Sequence, residues 1–384
     1  MSSTRSNGAS GEPVPDLVSW NDEASPSVNQ AHSDQTGRGS DRESLLARGW
    51  SRLPREYAIP EQAPTLDEAR EYCRRLATSH YENFSVATWF LPKDLHQHFF
   101  NIYAYCRISD DLGDEVGDKE ASLALLDRWE QELDATYAAF ERDGIASHFC
   151  QKQAEVGHQI SDVRTLGEAR HPVFIALAET IHACGIPKHE FSDLLTAFRQ
   201  DQTVGRYETF DDLLGYCRNS ANPVGHLVLY LCGYNDAERQ QLSDYTCTAL
   251  QLANFWQDVS VDWKKDRVYL PLEDLRRFAC SVEQIGEGRF DHNFRELMRF
   301  EVERAREWFQ CGLPLAGKVG RSLALDIELF SRGGLAILQA IEDQNFDVLA
   351  RRPSLSKLRK AELVVRALAG LALGRISRRG AGAP

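Results

Sequence analysis

Acidic side chains fall into two stretches whose spacing could support metal-assisted chemistry. The first is Tyr103-Ala-Tyr-Cys-Arg107-Ile-Ser-Asp110-Asp111-Leu-Gly-Asp114-Glu115. On a helix, at about 100° per residue, Tyr103, Arg107, Asp110, Asp111 and Asp114 share roughly one third of the circumference. Like charges at i,i+4 repel, so such a cluster gains nothing by itself. It becomes favourable around a cation, and oxygen-only donors suit Mg²⁺, which keeps waters and bridges to substrate phosphates. A solvated acidic helix end is the plain alternative. The second stretch, Gln251-Leu-Ala-Asn254-Phe-Trp-Gln-Asp258-Val-Ser-Val-Asp262, places Gln251, Asn254, Asp258 and Asp262 in one polar stripe. Large hydrophobes border it, among them Leu252, Phe255, Trp256 and Val259. Such a stripe reads as the wall of a cavity, apolar below and charged at its mouth. Two such helices face to face would hold a metal-bound diphosphate over an apolar tunnel.

Two further stretches could assist. Lys264, Lys265 and Arg267 follow directly after Asp262, just before Tyr269. Cations at a helix C-terminus are favourable through the macrodipole alone, yet a diphosphate there would also need counter-charge. His80, Tyr81 and Asn83, just before Phe84, offer donors near a helix entrance, where capping and packing account for them on sequence grounds alone.

The elements that must position these residues read as helices throughout. Residues 1–60 are rich in Ser, Gly, Asn, Asp and Pro without a sustained hydrophobic period, and are expected to be disordered. From Thr65 a helical period begins behind a Thr-Leu-Asp-Glu start. Pro92 precedes a helix expected from Asp94 to Asp114, and a long amphipathic segment runs from Lys119 to Phe140. Residues 143–170 are mixed in polarity. His171-Pro172 opens a helix that Gly185-Ile-Pro187 ends, and shorter helices are expected at Phe191–Asp201 and Leu213–Cys217. Asn222-Pro223-Val224-Gly225 is expected to interrupt the chain before an apolar helix through Leu231. Later helices are expected over His292–Leu313, Arg321–Ile341 and Ser356–Leu373. No strand alternation or fixed repeat is visible. The expected fold is all-α, a single large bundle of roughly ten or more helices around a central cavity. It spans residues 61–350, followed by a basic C-terminal piece, 351–384.

Composition bounds the partners. The chain has 384 residues, 42% hydrophobic and 26% charged, with a formal net charge of −13. That length buries one large core, and the acidity argues against a nucleic-acid partner. Nine cysteines lack C-x-x-C pairing and the eleven histidines lack zinc-site spacing, so a reducing cytoplasm is expected. The N-terminus shows no apolar signal region and no apolar run approaches the length of a membrane span. Past Arg351 the charged residues are basic except Glu362, interleaved with Leu363, Val364, Val365, Leu368 and Leu371. This piece could lie peripherally on the inner face of an anionic membrane, or pack on the core as a last helix with a solvated tail.

Taken in order, these stretches resemble the squalene/phytoene synthase family of class I prenyl-diphosphate enzymes, over roughly residues 66–345. Tyr103 to Asp114 matches the family's first aspartate motif. Asn254 to Asp262, followed by Arg267-Val-Tyr269-Leu-Pro271, matches the second. Between them Asp201, Arg206-Tyr207, Tyr216-Cys217 and Val224-Gly225 fall at family spacing. The resemblance implies an isoprenoid-synthase fold and two or three Mg²⁺ ions held by Asp110, Asp111, Asp114, Asp258 and Asp262. It also implies an isoprenoid diphosphate held by His80, Tyr81, Asn83, Phe84, Tyr103, Arg107, Gln251, Asn254, Arg267 and Tyr269. Members that condense two prenyl diphosphates commonly carry Ser-x-Ser-Phe where this chain has Tyr81 to Phe84. They usually carry Arg where Gln257 stands, and Tyr-Val-Ala-Gly where Asn219-Ser-Ala-Asn222 stands. These variants are similar to those of bacterial hydroxysqualene synthases of hopanoid pathways. That implies presqualene diphosphate as substrate, a partner presqualene diphosphate synthase upstream and a reductase downstream. No G-x-G-x-x-G fingerprint is present and no NADPH is expected, although squalene synthases use NADPH without that motif. The rivals are a complete head-to-head synthase making squalene, dehydrosqualene or phytoene, and a non-catalytic scaffold, which would tend to lose the aspartates.

Overall fold

Both acidic stretches end long helices, as their spacing predicts. The computed structural model describes residues 37–79, 91–142, 169–356 and 362. By its internal contacts the chain divides into Met1–Asp41 and Arg42–Pro384, and of the first unit only the opening of a helix is described. The helices in chain order are α1 (Gly37–Trp50), α2 (Leu66–Ser79), α3 (His96–Asp114), α4 (Lys119–Arg142) and α5 (Pro172–Cys184). There follow α6 (His189–Gln200), α7 (Phe210–Ser220), α8 (Asn222–Leu231) and α9 (Ala237–Asp262). The last four are α10 (Leu272–Arg277), α11 (Val282–Gly286), α12 (His292–Gly312) and α13 (Arg321–Asp343). Among the described residues there is no strand beyond an isolated bridge between Arg206 and Val268, so the all-α expectation holds.

Two apolar cores carry the two acidic helices. α3 packs against α2, α4, α5 and α6, and its apolar side joins a core of Trp129, Phe174, Phe191 and Tyr105, each buried. Tyr105 fixes the register by donating to the Phe191 carbonyl at 2.9 Å. α9 packs against α8, α12 and α13 through Leu252, Trp256 and Val259, with Phe294 and Phe309 opposite. Burying side chains of this size contributes about 1.5–3 kcal/mol each, which fixes both helices despite their acidic ends.

The connection from α6 to α7 lies against the chain that leaves α9. Val268 donates to the Gly205 carbonyl at 2.8 Å and Leu272 to the Tyr207 carbonyl at 2.9 Å. A Cβ on Gly205 would lie 2.6 Å from the Asp266 carbonyl oxygen, so this approach requires glycine.

Three expectations need correction. Residues 37–60 are not irregular: α1 and a 3₁₀ turn at Arg55–Tyr57 occupy much of that span, and Leu53 and Tyr57 are buried. Scattered core anchors replace a sustained period there, which hid the structure. The break expected at Asn222–Gly225 falls at Ala221, between α7 and α8, and Asn222-Pro223 opens α8, because proline lacks an N–H that the first turn does not need. The α3 helix begins at His96, preceded by a 3₁₀ turn at Lys93–Leu95. Residues 1–36, the passage from His80 to Phe90, residues 143–168 and nearly all of the expected helix over Ser356–Leu373 lie outside the described residues. Among the described residues no helix is long and apolar enough to cross a membrane.

Candidate functional site

Acids at the C-terminal ends of helices face the negative end of the macrodipole, and neither α3 nor α9 carries a basic residue in its last turn. Their charge must be answered from elsewhere, and the sources of that answer define the site.

Asp114, the last residue of α3, accepts from Lys265 Nζ and from Arg267 Nη2, each at 2.9 Å. Both donors leave the end of α9 around Asp266, whose φ of 57° is left-handed and turns the chain back. Burial works to raise the Asp114 pKa, but the two hydrogen bonds overcome it and hold the carboxyl below its usual range. The first and second motifs are thereby brought together.

Asp111 has another role. It is only 5% exposed. Arg107 reaches it through Nε at 3.0 Å and Nη2 at 2.5 Å, and the Tyr57 hydroxyl donates to it at 2.8 Å. Both of its oxygens accept from these donors, and through them Asp111 orients Arg107. Asp111 stands four residues after Arg107, where an ion pair forms within one helix face.

Asp110 and Asp262 make no side-chain hydrogen bond among the described residues. Asp110 is pushed up to about 6, by burial and then by Asp114, although half of its side chain remains accessible. Asp262 is pushed up to about 7, by burial and then by Asp258. Asp201 also joins the group, pushed up to about 6 by burial, with Asp114 and Asp110 adding to the effect and Arg267 opposing it. The Tyr216 hydroxyl donates to Asp201 at 2.9 Å, while Asp201 Oδ1 is buried without a partner. This mouth holds more carboxylates than its own cations satisfy, and hard oxygen donors in such a deficit fit a divalent cation. Among the described residues no three carboxylates, histidines or cysteines are closed around a single point. The donor chemistry fits, with the protein's own cations bonded to Asp111, Asp114 and Asp258.

Asp258 is gripped by Arg352 through Nε and Nη2, the latter at 3.0 Å from Oδ2. Gln251 and Asp262 are half-buried and Asn254 is exposed, while Leu252, Phe255, Trp256 and Val259 between them are buried. The stripe is therefore an accessible polar edge over an apolar wall. Beneath it Phe255 stacks on Tyr269 with centroids 3.8 Å apart and planes 10° from parallel. Tyr207 and Tyr216 flank Tyr269, each at 5.8 Å. Tyr103 is buried on α3, its hydroxyl pKa raised by burial. The expected ligand-binding residues His80, Tyr81, Asn83 and Phe84 lie outside the described residues. Sequence reasoning missed Tyr57, and it left Asp201, Tyr207, Tyr216 and Arg352 without a place in the site.

An all-α frame with two facing acidic helix ends defines a class of helical enzymes that handle diphosphates. The chain belongs to the squalene/phytoene synthase family, whose model matches residues 77–359, and that family is of the prenyltransferase type. Among curated relatives, a 15-cis-phytoene synthase of Synechococcus elongatus is 28% identical over 79% of this chain and 94% of its own length. A hydroxysqualene synthase of Rhodopseudomonas palustris is 30% identical over 74% of this chain and 86% of its own. Among solved structures, squalene synthase HpnC from Alicyclobacillus acidocaldarius is 39% identical, covers 79% of this chain and 98% of its own, and superposes with a TM-score of 0.63. A dehydrosqualene synthase in complex with a ligand, 22% identical over 80% of this chain and 98% of its own, shares the fold at a TM-score of 0.64.

Proposed function

We propose that the protein converts presqualene diphosphate and water to hydroxysqualene and diphosphate. The observation that carries the chemistry is the carboxylate-rich mouth held together by Lys265 and Arg267 on Asp114. The choice of substrate rests on Gln257 and Asn219, and on likeness to proteins named hydroxysqualene synthase and squalene synthase.

Asp110, Asp114, Asp258 and Asp262 are the residues that would hold Mg²⁺, which supplies neutralising charge to a leaving diphosphate. Arg107, kept in place by Asp111 and Tyr57, offers its remaining donors to phosphate oxygens, as do Lys265 and Arg267. The carbon–oxygen bond breaks with its electron pair on the diphosphate. The stacked faces of Phe255 and Tyr269 stabilise the cation that remains. Water then adds at one carbon and passes a proton to the departed diphosphate, and Gln251 and Asn254 edge the apolar wall where that water is oriented.

The phytoene synthases among the relatives favour a second reading, head-to-head condensation of two prenyl diphosphates. The test offers purified protein and Mg²⁺ presqualene diphosphate in one tube and farnesyl diphosphate in another. Hydroxysqualene from the first and nothing from the second is the expected result. Presqualene diphosphate or hydrocarbon from the second tube would replace it with the condensing reading.

A further inference from the structure

Gln257 immediately precedes Asp258, is only 6% exposed, and uses both ends of its amide. Its Nε2 donates to the Pro353 carbonyl at 2.7 Å, and its Oε1 accepts from Arg352 Nη2 at 3.3 Å. The same guanidinium grips Asp258, 94 residues away in sequence. Segment 351–353 reaches this place through an unusual reversal after α13. Asn345 and Phe346 both adopt left-handed backbone, with φ of 58° and 65°. A bulky residue rarely does so, and strain of order 1–3 kcal/mol must be held by its surroundings. Here Phe346 is buried, its N–H donates to the Ile341 carbonyl at 2.8 Å, and Arg299 lies over its ring. Beyond it, Gln344 donates to the Asp347 and Arg351 carbonyls at 2.8 and 3.0 Å. The whole reversal serves to lay Arg352 and Pro353 across the end of α9.

We propose that Gln257 is a positioning residue that tethers segment 351–353 and thereby sets the Arg352 charge on Asp258 at the mouth of the site. Glutamine suits this task because it donates to one group and accepts from the other. An arginine at 257 could not accept from Arg352 and would repel it; a leucine would leave the Pro353 carbonyl and one guanidinium N–H unpaired. The assignment rests on the functional reading above only where it places Arg352 beside a substrate diphosphate; the tether itself is independent of it.

The experiment uses the full chain. Trypsin cleavage of the Arg351–Arg352 bond is followed by mass spectrometry under native conditions in wild type, Gln257→Leu, Arg352→Gln and the double variant. Gln257→Leu is expected to raise the cleavage rate about tenfold, through easier local opening, with global helicity retained. Arg352→Gln should raise it similarly, and serves alone if Gln257→Leu does not fold. In parallel, KM for the diphosphate substrate should rise about tenfold in Gln257→Leu and in Arg352→Gln, with no further rise in the double variant. Arg352→Lys, which cannot span Gln257 and Asp258 together, should not restore it. Wild-type cleavage in both single variants, or multiplying KM effects in the double, would overturn the assignment. If no diphosphate is turned over, the functional reading fails and the cleavage rates alone decide the tether.

Discussion

Asp114 and Arg267 are 153 residues apart in sequence, yet the Arg267 guanidinium donates to the Asp114 carboxylate at 2.9 Å. With Lys265 on the other oxygen, this is the contact through which the first acidic motif reads the position of the second. Asp114→Asn would keep the side-chain volume but remove the charge that both cations share. Turnover is expected to fall at least about a hundredfold, the scale on which loss of preorganised charge is felt in an active site. Circular dichroism should stay nearly unchanged, since α3 is held by its apolar side. Asp110→Ala and Asp258→Ala should likewise abolish turnover with helicity retained; full activity in both would end the two-motif mechanism.

Tyr57→Phe tests the support behind Arg107. The variant loses one buried hydrogen bond to a carboxylate, for about 1–2 kcal/mol of stability by denaturant titration. Asp111→Asn, which leaves the Arg107 charge half-satisfied, should cost more. An unchanged midpoint in Tyr57→Phe would mean that the hydroxyl does not hold Asp111.

How much of this was legible in the sequence depends on the range of the interaction. The ends of α3 and α9 follow from hydrophobic period, and the facing acids follow from their spacing on it, so both motifs could be read directly. The Arg107–Asp111 ion pair lay within reach too, because an i+4 relation on one helix face signals it. Tyr57 could not be read, because a lone aromatic in a Ser- and Pro-rich stretch carries no period. Arg352 was one cation in a basic tail, and nothing local marks which of them turns back to Asp258. Contacts that close over long sequence separations are set by packing, which the residue pattern constrains only in sum.

Asp326 on α13 is a different kind of buried acid. It is 3% exposed, neither oxygen has a partner, and burial pushes its pKa from 3.8 up to about 8. A carboxyl raised in the folded state stabilises nothing when ionised. Its cost is absent below pH 3.8 and grows as the pH rises toward 8, where the unfolded chain ionises freely and the folded one resists. Asp326→Asn removes the charge and should raise stability at pH 8 by about 2 kcal/mol, with little gain at pH 4. A gain of equal size at both values would assign the effect to packing among Leu323, Ile327 and their neighbours.

His226 works in the opposite sense and gives the sharpest pH test. It lies on α8 between two carboxylates: Nδ1 is 3.0 Å from Glu190 on α6, and Nε2 is 2.7 Å from Asp244 on α9. Burial alone would lower its pKa; the bonds to Asp244 and Glu190 overcome this and raise it from 6.5 to about 10. The imidazolium therefore joins three helices. Its contribution is fully present below pH 6.5, where folded and unfolded chains are both protonated. It is lost progressively as the pH rises to about 10, because the unfolded chain sheds its proton first. Other groups face the same pair: His189 lies 3.5 Å from Glu190, and Asp193, whose pKa burial raises, feels both histidines. His226→Gln cannot supply the charge that Glu190, 2% exposed, requires, and should cost about 3 kcal/mol at pH 6.5. By pH 10 the difference from wild type should have shrunk markedly, in thermal unfolding scans across that window. A difference that stays constant with pH would show that the ring acts by shape, and that its charge does not bind the three helices together.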